Sequence, residues 1–69
     1  MRFIVEYTRV SDGCLLEGVK MFATKGDEKA DDPSILEMAQ VTAGGDGVRV
    51  TRVYEDDGTI VLGEKKKAA

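Results

Sequence analysis

Two Asp-Gly pairs, Asp12-Gly13 and Asp57-Gly58, each follow a run of β-branched and aromatic residues, in TRVSDG and TRVYEDDGT. Asp-Gly flanked by alternating apolar residues is the strongest short-range signal for a reversal between two strands, because glycine adopts positive φ without steric cost. A chain marked in this way is constrained toward antiparallel hairpins. Residues 2–10, RFIVEYTRV, alternate Phe3, Val5 and Tyr7 with Arg2, Glu6 and Thr8, which is a strand pattern. The next stretch, CLLEGVKMFAT, fits either a helix, with Gly18 at a costly interior position, or a second strand. A three-residue loop, Ser11–Gly13, favours the strand: it sets Phe3 against Met21, Val5 against Val19, Tyr7 against Glu17 and Arg9 against Leu15. A two-residue loop would instead oppose Val5 with Lys20.

Beyond this hairpin, residues 25–32 are charged and form a connection. Asp32-Pro33 predicts a helix start, with Asp32 capping exposed amides and Pro33 at the first position, where no amide bond is needed. Ile35, Met38, Ala39 and Thr42 then make a mostly apolar stripe, and Gly44-Gly45 ends the helix. VRVTRVY at 48–54 and TIVL at 59–62 are read as a second hairpin around Asp56–Gly58, with Tyr54 against Ile60 and Arg52 against Leu62. The expected fold is α+β: a four-stranded antiparallel sheet in β-β-α-β-β order with one helix packed on one face. Residues 1–63 form the single domain, and 64–69, with Lys65, Lys66 and Lys67, a mobile basic tail. TRV occurs twice, but strand composition alone accounts for a three-letter match.

In that register Phe3, Val5, Tyr7, Val19, Met21, Val48, Val50, Tyr54 and Ile60 lie under the helix. Ile4, Leu16, Phe22, Val53 and Val61 then fall on the opposite face, where five apolar residues would form a patch that marks a protein-binding or dimer interface.

Composition decides which chemistries to discount. A 69-residue chain buries only about 60% of its unfolded surface, so folds of this size usually need a staple. Cys14 is the only cysteine and histidine is absent, which excludes an intrachain disulfide and argues against a zinc site. Without histidine there is no ready general base near neutral pH, so the expectation is a protein that is not an enzyme and carries no cofactor. The charge of −3 and a pI near 4.8 argue mildly against general nucleic-acid binding. No apolar run is long enough to span a bilayer, and the polar interruptions of the first ten residues do not make a signal peptide. A lone thiol with no export signal points to the cytoplasm.

The acidic run Glu55-Asp56-Asp57 lacks the spacing of a calcium loop and is read as a solvated turn; residues 27–32 are read as a charged linker. Gly44-Gly45-Asp46-Gly47 follows a helix, whereas phosphate cradles precede one. Arg9 and Arg52 take matching places near the closed ends of the two expected hairpins, on the core side. There they either reach past the core to solvent by their aliphatic stems or form a pair aimed at a carboxylate or phosphate.

With RFIVEYTRV as opening strand, PSILEMAQVT as helix and VRVTRVYEDDGTIVL as closing hairpin, the layout resembles small phage-encoded inhibitor proteins of the anti-CRISPR type. Some of these are β-β-α-β-β domains of similar length. The resemblance implies a non-enzymatic protein that occupies a surface on a larger complex, and it transfers no functional residue. The leading expectation is therefore a protein-binding module acting by stoichiometric contact, as an inhibitor or accessory of a larger assembly. Asp27, Asp31, Asp56 and Asp57 would engage a basic groove, and the uncovered sheet face would supply contact area. The alternatives are a nucleic-acid-binding module using Arg2, Lys20, Arg49, Arg52 and the Lys65–Lys67 tail, and a structural homodimer.

Overall fold

A computed structural model describes residues 1–66. Along the chain the elements are β1 (Arg2–Ser11), β2 (Cys14–Ala23), α1 (Pro33–Ala43), β3 (Val48–Glu55) and β4 (Gly63–Lys66). The strands form one antiparallel sheet and the helix lies on one face, so the class is α+β. The resulting slab measures 38 × 26 × 14 Å, the thickness of one helix on one sheet. Across the sheet the order is β3-β1-β2-β4, which corrects the layout of two hairpins expected from the sequence: β3 and β4 lie on opposite edges and never pair.

The reason lies in β1. Phe3, Ile4, Val5 and Tyr7 are all buried, so β1 carries apolar side chains toward both faces. Such a strand is stable only in the interior of a sheet, with neighbours on both edges and cover on both sides. β2 takes one edge and β3 the other, with Val5 opposite Val53 and Ile4 opposite Tyr54. Tyr54 therefore faces Ile4 rather than Ile60, and Arg52 faces Glu6 rather than Leu62. TIVL is not a strand. Residues 56–62 instead form a strap that carries the chain from the β3 edge to the β2 edge. The fourth strand is Gly63–Lys66, so Glu64, Lys65 and Lys66 belong to the sheet rather than to a tail. Lys67 and residues 68–69 lie outside the described residues.

The β1–β2 turn is also tighter than expected. Ser11 pairs with Cys14, leaving a two-residue loop, and Val5 stands opposite Lys20. Asp12 and Gly13 both have positive φ, 52° and 77°. These angles make the turn whose twist matches the flanking strands, and Asp tolerates the left-handed conformation better than most residues. Relative to the three-residue loop the register moves by one residue, and a one-residue slip sends every side chain of a strand to the other face. Phe22 and Leu16, opposite Phe3 and Arg9, thus join the helix side, whereas Val19 and Met21, opposite Glu6 and Ile4, leave it.

The helix-side core consists of Phe3, Val5, Tyr7, Phe22, Ile35, Ala39 and Ala43, with Val48, Val50 and Val53 packed against it. The Phe3 and Phe22 rings stack with centroids 5.5 Å apart. α1 begins as the sequence predicts: the Asp32 carboxylate accepts from the Ser34 amide at 2.9 Å and from its hydroxyl at 2.7 Å, with Pro33 in the first turn. The helix turns Ile35, Ala39 and Ala43 inward and leaves Met38 exposed, because a helix lying this close to a sheet accepts small side chains along its centre. Gly44 ends it, and the Gln40 side-chain amide donates to the carbonyls of Gly45 and Val48, both at 2.7 Å, tying the helix end to the start of β3.

Tyr7 determines what can stand beside it. Its neighbour across β2 is Gly18, and a Cβ at that position would fall on the Tyr7 ring. Gly18→Ala should therefore destabilise the fold by about 1–3 kcal/mol, the usual cost of overpacking a filled site. Urea denaturation read by circular dichroism measures this, and an unchanged midpoint would show that the ring has room to move.

Candidate interaction surface

The best-defined polar arrangement in the molecule spans β1, β2 and β4. Tyr7, Gly18 and Glu64 are successive neighbours across the sheet, and Arg9 lies two residues along β1 from Tyr7, on the same face. Arg9 closes on Glu64 through two parallel hydrogen bonds: Nε donates to Oε2 at 2.6 Å and Nη2 to Oε1 at 2.9 Å. This forked geometry matches a guanidinium to a carboxylate better than any single contact. Hydrogen bonding from Arg9 is the largest cause that holds the Glu64 carboxyl down at about 2, well below its ordinary 4.5. Burial is the first cause that raises the Tyr7 phenol, followed by the adjacent Glu64 carboxylate. The Tyr7 hydroxyl is inaccessible and meets no partner at full hydrogen-bonding geometry. The Lys20 ammonium stands over the same ring, 5.4 Å from its centroid.

A carboxylate held near 2 is a poorer proton acceptor than an ordinary one, and an arginine committed to it offers little to an incoming anion.

Two depressions flank the point where the strap enters β4. One, of about 600 Å³, lies between the strap residues Val61 and Leu62 and the sheet residues Glu6, Thr8 and Val19. Strand alternation puts those three on the face away from the helix, so the strap crosses that face. Ile4, on that face, is 1% exposed although it is no part of the helix-side core. The second, of about 480 Å³, runs between Thr42 on the helix and Met21 and Leu62, with Lys20 at its side. Met38, one helical turn before Thr42, and Val41 are exposed on the same helix, at 41% and 71%.

The segments that carry the expected acids leave the sheet at the same end. The Thr24 amide donates to the Met1 carbonyl and the Asp56 amide to the Arg2 carbonyl, so the connections leaving β2 and β3 flank the start of β1 at one end of the sheet. Asp27 and Asp31 lie on the first connection, and Asp56 and Asp57 on the second. Asp56 accepts from the Gly58 amide at 2.7 Å and stands 3.8 Å from Arg2. Asp57 accepts from the Thr59 amide and hydroxyl, at 2.9 and 2.6 Å. These last two acids shape the turn that opens the strap, while Asp27 and Asp31 are exposed.

The arginines are separated. Arg9 is on the helix face, and Arg52, opposite Glu6, is on the other, because Thr51 forms a bulge between the pairs Glu6–Arg52 and Tyr7–Val50. The Arg52 guanidinium lies 4.3 Å from the Tyr54 ring centroid and 3.8 Å from Glu6. The expected apolar patch is also dispersed. Phe22 and Leu16 are on the helix side, Val53 packs against the helix-side core, and Ile4 is covered; only Val61 remains, 87% exposed, on the strap. No known protein family, characterised protein or solved structure matches the chain. Among the described residues, no helix is long and apolar enough to cross a membrane.

The sequence reading missed Glu64, which it assigned to the tail, and the exposed Met38 and Val41, which it took in part as core. Gly18 was the available signal for the first: a glycine inside a strand marks the close approach of another group.

Because the folded state holds Glu64 below its ordinary value, the charged carboxylate favours folding. The contribution is complete above about pH 5 and vanishes as pH falls toward 2. E64Q should lower the urea midpoint at pH 7, with the difference from the parent chain shrinking to nothing near pH 2. A difference that stays constant from pH 7 to pH 2 would mean that the clasp contributes through shape rather than charge.

Proposed function

We propose that this chain is a non-enzymatic protein-binding module that works by stoichiometric contact, presenting an acidic end to a basic surface on a larger, nucleic-acid-handling assembly. The observation that carries this reading is the convergence of two distant acidic segments at one end of the sheet. Asp27, Glu28, Asp31 and Asp32 lie on the segment that leaves β2 there, and Glu55, Asp56 and Asp57 on the segment that leaves β3, with Lys25, Lys29 and Arg2 along the same stretches. Carboxylates held on turns at the end of a rigid sheet imitate a short run of phosphates, and complementary charge raises the association rate and sets register. The exposed Met38 and Val41, in the C-terminal half of the helix, supply adaptable apolar contact on a separate part of the surface. An inhibitor or accessory role follows from the same chemistry, since a surface that mimics phosphates competes with nucleic acid for its site.

The nucleic-acid-binding alternative is weaker, because its cations are dispersed. Arg52 is engaged by Glu6 and Tyr54, Arg2 by Asp56, and Lys20 stands over Tyr7 on the other face.

The test uses the immobilised chain against extract of the producing cell, eluted with stepped salt and compared with D27N/D31N/E55Q, three acids that accept no hydrogen bond needed for a turn. The parent should retain a basic partner that elutes with rising salt, and the triple variant should lose roughly tenfold or more of it. Retention that ignores both salt and the substitutions would overturn the acidic-end reading. Tight binding of labelled oligonucleotides by the purified chain, weakening steeply with salt, would favour the alternative.

A further inference from the structure

β4 is attached to the rest of the molecule on one side only. Its backbone neighbours β2 and no other described element, and all four of its residues are exposed. Antiparallel pairing of Gly63–Lys66 with Val19–Leu16 and the closure of Glu64 on Arg9 hold it in place. Seven residues, 56–62, tether it to β3 on the far edge of the sheet. Within this strap Val61 is 87% exposed and Leu62 49%.

Every group that receives β4, the outer edge of β2 and the Arg9 guanidinium, is carried by every copy of the chain. A β4 from another copy meets the same partners in the same register. Exchange therefore forfeits no contact of the strand, and its cost is confined to freeing the strap and giving up the tether. We propose that two copies of this chain exchange β4 reciprocally, the Glu64 of each closing on the Arg9 of the other. The exchange closes after two copies, since each has one strand to give and one edge to fill. Lys65 and Lys66 on the short outer strand discourage addition of a further strand. In the parent chain the tethered strand competes at an effective concentration on the order of millimolar, so the exchanged form is populated at high protein concentration.

Charge reversal removes that competitor. In R9E a carboxylate meets Glu64 within the same chain, and in E64R a guanidinium meets Arg9; each closed monomer carries a like-charge pair. In an exchanged dimer of one R9E chain with one E64R chain, both clasps join opposite charges. The two full-length variants are mixed in urea, refolded together and examined by native mass spectrometry and light scattering, with the R9E/E64R double variant as the control that the reversed clasp folds. The expected result is a 1:1 heterodimer of twice the 7.5 kDa chain mass, favoured roughly tenfold or more over either homodimer. It forms at concentrations where the double variant is monomeric. Should either single variant fail to fold alone, recovery of strand circular dichroism on mixing supports exchange equally. A mixture that remains monomeric, that remains unfolded while the double variant folds, or that shows no preference for the heterodimer overturns the proposal.

Discussion

Tyr7 lies across Gly18, and most of the molecule is arranged around that contact. The ring fills the space that a side chain on β2 would have occupied, on the helix side of the sheet, and extends past the strand toward β4. Its position depends on the two-residue turn at Asp12-Gly13, which brings Gly18 opposite Tyr7. With a loop one residue longer, Glu17 would stand there instead. The phenol then comes to lie beside Glu64, and Arg9, two residues along β1, closes on the carboxylate. One backbone turn thus sets a register, the register sets an aromatic–glycine contact, and that contact leaves room for the last strand to be clasped.

The two arginines of the repeated TRV show how far local likeness can diverge. Both end in contact with a carboxylate, but of different kinds. Arg9 makes a forked pair that joins the first strand to the last. Arg52, turned to the other face by the bulge at Thr51, lies against Tyr54 and stands 3.8 Å from Glu6. The bulge and the two arginines of β3 also keep that long edge from templating further strands, as Lys65 and Lys66 do on β4. Edges guarded in this way leave the ends of the sheet and the outer flank of the helix as the surfaces with contact to offer.

Much of the local structure was legible in the residues. Asp32-Pro33 and Gly44-Gly45 bound the helix as their capping chemistry requires, and RFIVEYTRV is a strand because its alternation suits no other element. Asp12-Gly13 announces a reversal, and Glu55-Asp56-Asp57 begins a turn. These features depend on a residue and its immediate neighbours, through φ preference, capping and alternation, and so can be read in order along the chain. Which strands pair is a different kind of question. TIVL has better strand composition than GEKK, yet it is GEKK that joins the sheet, where Glu64 finds Arg9 across 55 positions of sequence. That the segments carrying Asp27 and Asp31 and those carrying Asp56 and Asp57 leave the same end of the sheet likewise follows only once β2 and β3 flank β1. The sequence by itself determined the first and third strands, the helix and the turns, because their signals are local, but not the fourth strand. Only the tertiary structure decided the register, the faces and the order of the strands, because a one-residue slip or a change of partner alters every long-range contact while leaving each local preference satisfied.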